Sequence, residues 1–393
     1  MWSKDYFLLM QGQAVSCLGS TLYSVVASLW AYDLTGSAMI MSIVYSAANI
    51  ARLAAFPFAG VIADRFSRRN LIVVCDIVCG ASMLIVAAMA LTGSSFAVWG
   101  LVFHSAVSGA ISGVFNPSVN AMMLSITKKE NYVRANSVYN AVEYGIDMIG
   151  QGIAGTFYML LGAPMLFLIN GLTFLFSAFT EGFIQKDPAP MQREKKPFWR
   201  DAMEGVRYIL VNGGIRLNLL LAFCINFAFG ILRVALVPWM LSFGTEYYGL
   251  LGTFRSAGVV IGTLLLTVRN IPENKRYNIY FWCQTVFVLC IAASTLPNTF
   301  LPAAALFCVA YANQSVFNSV QRSAVIITAP NEIRGKVLCA VQALAMGFSA
   351  VGNLSGGVLC KWIAPRPLVF AVMSLLLAGI LWLGRKQSVK ELF

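Results

Sequence analysis

The sequence predicts an all-α membrane protein whose twelve transmembrane helices fall into two sets of six. Only 11% of the 393 residues are charged and the mean hydropathy is +0.74, whereas a soluble domain carries about 25% charged residues. Apolar runs of about 20 residues, the length that crosses the hydrocarbon layer as helix, recur along the chain. As helices they satisfy their own backbone hydrogen bonds. The lysines and arginines, finally, sit on alternate connections between those runs.

The spans are placed at 6–31, 38–62, 70–92, 97–121, 133–161, 164–185, 215–242, 247–268, 277–296, 299–326, 334–360 and 367–384. The first begins close to Met1, is too long for a signal-peptide core and lacks a small-residue cleavage site after it, so it stays as a helix. One set of connections holds Lys4, the basic residues of 65–69, 128–134, 186–216 and 269–276, Arg334 with Lys336, and those of the tail after Gly384. The opposite set ("LTGSA", "TGSS", "LGAP", "FGTEYY", "TLPNT", "APRP") holds only Lys361 and Arg366. Positive charge is retained on the cytoplasmic face, which puts both termini inside, in a bacterial-type plasma membrane. The same asymmetry accounts for the net charge of +12 without a nucleic-acid partner.

Residues 185–214 form the longest polar segment and divide the spans six and six. Three parts are therefore expected: 1–185, a cytoplasmic linker 186–214, and 215–393. The linker begins with Pro188 and Pro190, and its "FWRDAMEGVRYIL" stretch is amphipathic enough to lie along the inner membrane surface. A parallel repeat of six-helix halves is a common transporter plan, although the internal sequence match is weak.

Span five carries "NSVYNAVEYGIDMIGQ". At about 100° per residue, Asn136, Asn140, Glu143, Asp147 and Gln151 share an arc of roughly 80°. A carboxylate near mid-bilayer costs about 2.5–3.5 kcal/mol, so this stripe should face a cavity rather than lipid. A buried structural ion-pair network would use the same residues. Arg52, Arg233 and Arg255 also lie within spans. Counting at about 1.5 Å per residue places Asp147 and Arg255 at similar depth, as candidate partners across the halves. A carboxylate paired in one state and freed in another changes its proton affinity, which suits proton coupling. Asp147 and Glu143 are therefore the candidate proton carriers. Arg52, Asn140, Gln151, Arg233 and Arg255 are the candidate substrate contacts, and Tyr23, Tyr45, Phe227 and Trp239 could furnish an apolar wall. His104 reads as a packing histidine and Asp76 as the partner of an inner-loop arginine.

The nine cysteines have neither metal-ligand nor disulfide spacing and read as packing residues. No metal cluster, serine nucleophile elbow or phosphate loop is found, so no cofactor and no enzymatic activity are expected.

Span two ends in Gly60-Val-Ile-Ala-Asp64-Arg65-Phe-Ser67-Arg68-Arg69. This resembles the motif between helices two and three of the major facilitator superfamily, with Ser67 where that family usually has its second glycine. "GQAVSCLGS", "TGSAMIMS", "FNPSVNAM" and Glu332-Ile-Arg-Gly-Lys-Val337 resemble the drug-efflux branch that includes macrolide exporters and the enterobactin exporter. The run Gly145, Gly150, Gly152, Gly155 is similar to the superfamily's antiporter motif, with Gln151 in place of its proline. Close-packing glycines between helices would read the same way. The resemblance implies two six-helix bundles around a central cavity, with Gly60, Asp64, Arg65, Arg68 and Arg69 bracing an inner gate. It also implies a monomeric secondary transporter, an antiporter for multidrug efflux of amphipathic small molecules driven by protons. The three intramembrane arginines keep an anionic substrate, such as a siderophore or other metabolite, as an alternative.

Overall fold

The computed structural model describes residues 3–94, 96–127, 131–185, 207, 211, 213–268, 273–328 and 334–383. Among them, regular structure is helical throughout. The elements are α1 (Lys4–Thr35), α2 (Ala38–Arg65), α3 (Arg68–Leu91), α4 (Ala97–Ile126), α5 (Tyr132–Gly182), α6 (Gly213–Leu241), α7 (Thr245–Val268), α8 (Glu273–Ala293), α9 (Phe300–Thr328), α10 (Arg334–Leu359) and α11 (Pro365–Leu383). Nine apolar stretches among the described residues are long enough to cross a membrane.

The helix α5 contains both predicted spans 133–161 and 164–185. They are separated at Gly162, whose φ of 73° and ψ of 165° interrupt the helix just before Pro164. A side chain is strained in that conformation, and glycine is not. Proline cannot continue the preceding hydrogen-bond ladder but suits a helix start. The eleven elements are thus consistent with twelve spans. The predicted linker, residues 186–214, lies almost entirely outside the described residues.

Other boundaries are set by local chemistry. The Ser3 side chain accepts from the Tyr6 amide at 3.1 Å and caps α1. Gly36, in the left-handed region at φ 58°, ends that helix. Ser67 caps α3 by accepting from the Asn70 amide at 3.2 Å, with φ −56°. The departure from glycine at Ser67 therefore needs no left-handed conformation and supplies a helix cap.

The described helices form two compact units, one of Met1–Gly36 with Ile43–Lys195 and the other of Ser37–Ser42 with Lys196–Phe393. In the first, α5 packs along α1 and α3, and α3 also packs on α4. Tyr6, Leu9, Ile72, Met122, Met123 and Ile184 make an apolar core at one end. That end is tied by Tyr6 Oη donating to the Ala135 carbonyl at 2.9 Å and by the Gln185 amide donating to Asp5 Oδ1 at 3.1 Å. In the second unit, α6 packs on α10 and α11, and α9 packs on α7 and α8. The contact of α7 with α9 is close because Gly258 and Gly262 face the backbone of Cys308 and Ala312.

Candidate functional site

Each unit holds its own cavity. In the first it measures about 360 Å³ and is lined from α1, α3, α4 and α5, with Gln13, Asp76, Glu143 and Asp147 among its polar groups. Phe115, Phe174 and Tyr139 supply its aromatic surface. Helix α5 presents its stripe here because Gly150 allows close approach to α1: a side chain at 150 would meet Thr21 at 3.0 Å. Thr21 Oγ1 in turn donates to Asp147 Oδ1 at 3.2 Å, and Gln151 Nε2 donates to Asp147 Oδ2 at 2.7 Å. These two neutral donors orient the carboxylate.

Deeper in the same unit is a second polar group. Gln13 Nε2 donates to Glu181 Oε1 at 2.8 Å, and Tyr139 Oη donates to Gln13 Oε1 at 3.2 Å. Glu181 is fully buried and Asp76 is 2% exposed.

The cavity of the second unit measures about 310 Å³ and has the opposite character. Arg233 of α6 and Arg255 of α7 line it with Asn226, Gln314, Asn318 and Gln321, and no carboxylate is among the described lining residues. Phe229, Tyr311 and Phe317 form its aromatic wall. The Arg255 guanidinium lies 4.6 Å from the centre of the Tyr311 ring, close enough for a cation–π attraction.

The model of the Major Facilitator Superfamily matches residues 9–272. The chain belongs to that superfamily. Among relatives, it is 24% identical to an MFS-type transporter, YfiS, of Bacillus subtilis, over 96% of this chain and 91% of that one. It is 25% identical to the putative bacilysin exporter BacE of Bacillus amyloliquefaciens, over 76% and 75%. To macrolide efflux protein A of Streptococcus pyogenes it is 21% identical over 54% and 53%. Of solved structures, the nucleoside transporter NupG superposes with a TM-score of 0.75 at 13% identity, covering 97% of this chain and 98% of that one. A bacterial homologue of the iron transporter ferroportin gives 0.69 at 13% identity, covering 97% and 99%. These superpositions show a major facilitator fold, and the family match and relatives make the chain a multi-pass membrane transporter.

Within this transporter the predicted residues fare unevenly. Glu143 and Asp147 share the first unit's cavity, and Gln151 reaches it through Asp147. Asn140 is not among the lining residues. Arg52 is not among the lining residues, but its Nε donates to the lining Ser112 Oγ at 2.5 Å. Arg233 and Arg255 share the second unit's cavity. Of the inner-gate motif, Arg69 Nη1 donates to the Ile184 carbonyl at 3.1 Å and Arg68 is half-buried in the first turn of α3. The side chains of Gly60, Asp64 and Arg65 lie outside the described residues, as do those of residues 332–337.

Two expectations, for Asp76 and Trp239, are corrected. Asp76 has no arginine partner among the described residues; it faces the cavity, and its Oδ2 has no hydrogen-bond partner there. Trp239 is core, 1% exposed, and furnishes no cavity wall, while Tyr23 is half-buried and packs on His104 and Phe167. Tyr45 is engaged with the Ser28 hydroxyl. His104, as expected, is a buried packing residue, its Nδ1 2.8 Å from Ser82 Oγ. The eight described cysteines are free thiols. Sequence reasoning missed Glu181, although an acid inside an apolar span is itself a signal.

Proposed function

We propose that this transporter exports amphipathic small molecules in exchange for protons, from a bacterial plasma membrane with both termini in the cytoplasm. The observation that carries the proposal is Asp147. It lies at a cavity beside Glu143, oriented by the neutral donors of Thr21 and Gln151. Relatives named for macrolide efflux and bacilysin export support the outward direction and the substrate class. Residues 1–185 and 215–393 act as the two moving bundles of an alternating-access cycle in a monomer, joined by 186–214. Gly60, Asp64, Arg65, Arg68 and Arg69 brace the inner gate. No cofactor or nucleic acid takes part.

The test is reconstitution into proteoliposomes carrying an internal pH dye, under an imposed pH gradient, with a macrolide and bacilysin as first probes. Wild type should move protons when a transported probe is added. Asp147→Asn cannot gain or lose a proton at that position, so it should bind the probe but lose pH-driven flux. If Asp147→Asn and Glu143→Gln both keep the wild-type dependence on pH, proton coupling through the stripe is wrong.

A second reading is favoured by the other cavity. Arg233 and Arg255, with amides and an aromatic wall, suit a substrate that carries an anionic group on an apolar body. Arg233→Gln would then weaken binding of anionic probes more than of neutral ones.

A further inference from the structure

Two carboxyl groups behind the first unit's cavity lie where an ionised acid is costly. Asp76 is 2% exposed and Glu181 fully buried, and the two interact electrostatically. Removing one charged carboxylate from water without a counter-charge is strongly unfavourable, and two facing carboxylates repel as well. Gln13 Nε2 donates to Glu181 Oε1 at 2.8 Å. By strict geometry Asp76 Oδ2 and Glu181 Oε2 have no hydrogen-bond partner among the described residues, and the fully buried Ser177 hydroxyl lies beside both acids. The single Ser177 hydrogen can serve only one of these two outer oxygens, so a second hydrogen is still lacking.

No described arginine or lysine pairs with either acid, and Arg52 of α2 meets the cavity lining at Ser112. Cys75 and Cys79 flank Asp76 on α3, and Tyr139, Glu143 and Asp147 face the region from α5, with Cys17 and Gln13 on α1. Arg69, on the first turn of α3, gives its Nη1 to the Ile184 carbonyl. His104 of α4 is held by Ser82, six residues further along α3 than Asp76. The site is also closed by α1. A side chain at Gly12 would meet Ser177 Oγ and Thr180 Oγ1 at 2.9 Å and Glu181 Cγ at 3.3 Å, so glycine there lets α1 lie close on this face.

We infer that Asp76 and Glu181 hold a single proton between them, as a second proton site behind the stripe of Glu143 and Asp147. With one carboxyl protonated, the remaining negative charge is stabilised by the Gln13 amide and the Ser177 hydroxyl. Asp76 opens on the cavity directly. Glu181 reaches it through Gln13 and Tyr139, both of which line it. The proton site is therefore placed to exchange with the cavity while closed on its other side. The inference deepens the proton-coupled reading and rests on it for its role, but the presence of the proton can be measured alone.

Infrared spectra of purified protein at neutral pH should show the carbonyl stretch of a protonated carboxylic acid. Asp76→Asn combined with Glu181→Gln should abolish that band. Asp147→Asn combined with Glu143→Gln should keep it. Dicyclohexylcarbodiimide, an apolar reagent for protonated carboxyls, should label wild type at residue 76 or 181, which decides the matter even if the double variant fails to fold. An unchanged band in the 76/181 variant, no band in wild type, or labelling confined to 143 and 147 would overturn the inference. Retained pH-driven flux in Asp147→Asn would refute the proposed coupling and leave this band unaffected, so the two ideas fail separately.

Discussion

The close packing of α7 on α9 gives a prediction whose size can be worked from the coordinates. A Cβ added at Gly258 would lie 2.2 Å from the Cys308 carbonyl oxygen, and one at Gly262 would lie 2.2 Å from that of Ala312. Ordinary van der Waals contact begins at 3.4 Å, so each falls short by 1.2 Å against backbone, which cannot rotate away. The helices must separate, and overpacking of this kind costs about 1–3 kcal/mol per site. Alanine recovers about 0.5–1 kcal/mol of helix propensity at each position. The double variant Gly258→Ala, Gly262→Ala should therefore lose roughly 1–4 kcal/mol. At about 2–4 °C per kcal/mol for a unit of this size, its melting temperature should fall by several degrees. Gly379→Ala, where a Cβ meets nothing within 4 Å, is the control and should melt at or slightly above wild type. Function should suffer too. Arg255 lies one turn before Gly258 and Tyr311 adjoins Ala312, so opening the helices pulls the guanidinium off the ring it now covers at 4.6 Å. The assay is thermal unfolding of the detergent-solubilised protein, followed by size-exclusion fluorescence. A double variant that melts at or above the Gly379→Ala control would refute the claim that small residues set this spacing.

Two further outcomes are expected. Gly162→Ala should destabilise by about 1–3 kcal/mol, because alanine is strained at the φ of 73° that the break in α5 requires; the melting temperature of the solubilised variant checks it. A single cysteine at position 190, in a cysteine-free background, should react with a membrane-impermeant thiol reagent only after the cells are opened. Labelling of intact cells there would reverse the proposed orientation.

The helices were legible because membrane spans are written in local composition. Length, hydropathy and alternating basic connections need no knowledge of tertiary contacts, and the predicted boundaries fall close to those of the described helices. Even the break at Gly162 was announced by "LGAP", since glycine before a proline is local chemistry. Ser67 was less legible. In sequence it stands out only as a departure from the family's glycine, whereas its hydroxyl caps α3, a role visible only once the helix start is fixed.

The sites divide along the same line. Glu143 and Asp147 were found because a helical period of 3.6 residues puts them on one face, and a charged face in an apolar span has few places to point. Glu181 escaped because it lies at the end of α5, where an acid in sequence looks like an interfacial residue within reach of water. What removes it from water is α1, brought against it by the missing side chain of Gly12. Asp76 was assigned an arginine on the ground that a buried charge needs an opposite charge. That premise holds only if the group is charged. Where a second acid and a hydroxyl are the neighbours instead, a proton meets the same requirement, and the identity of the neighbours is decided by which helices pack together, a fact no single span contains.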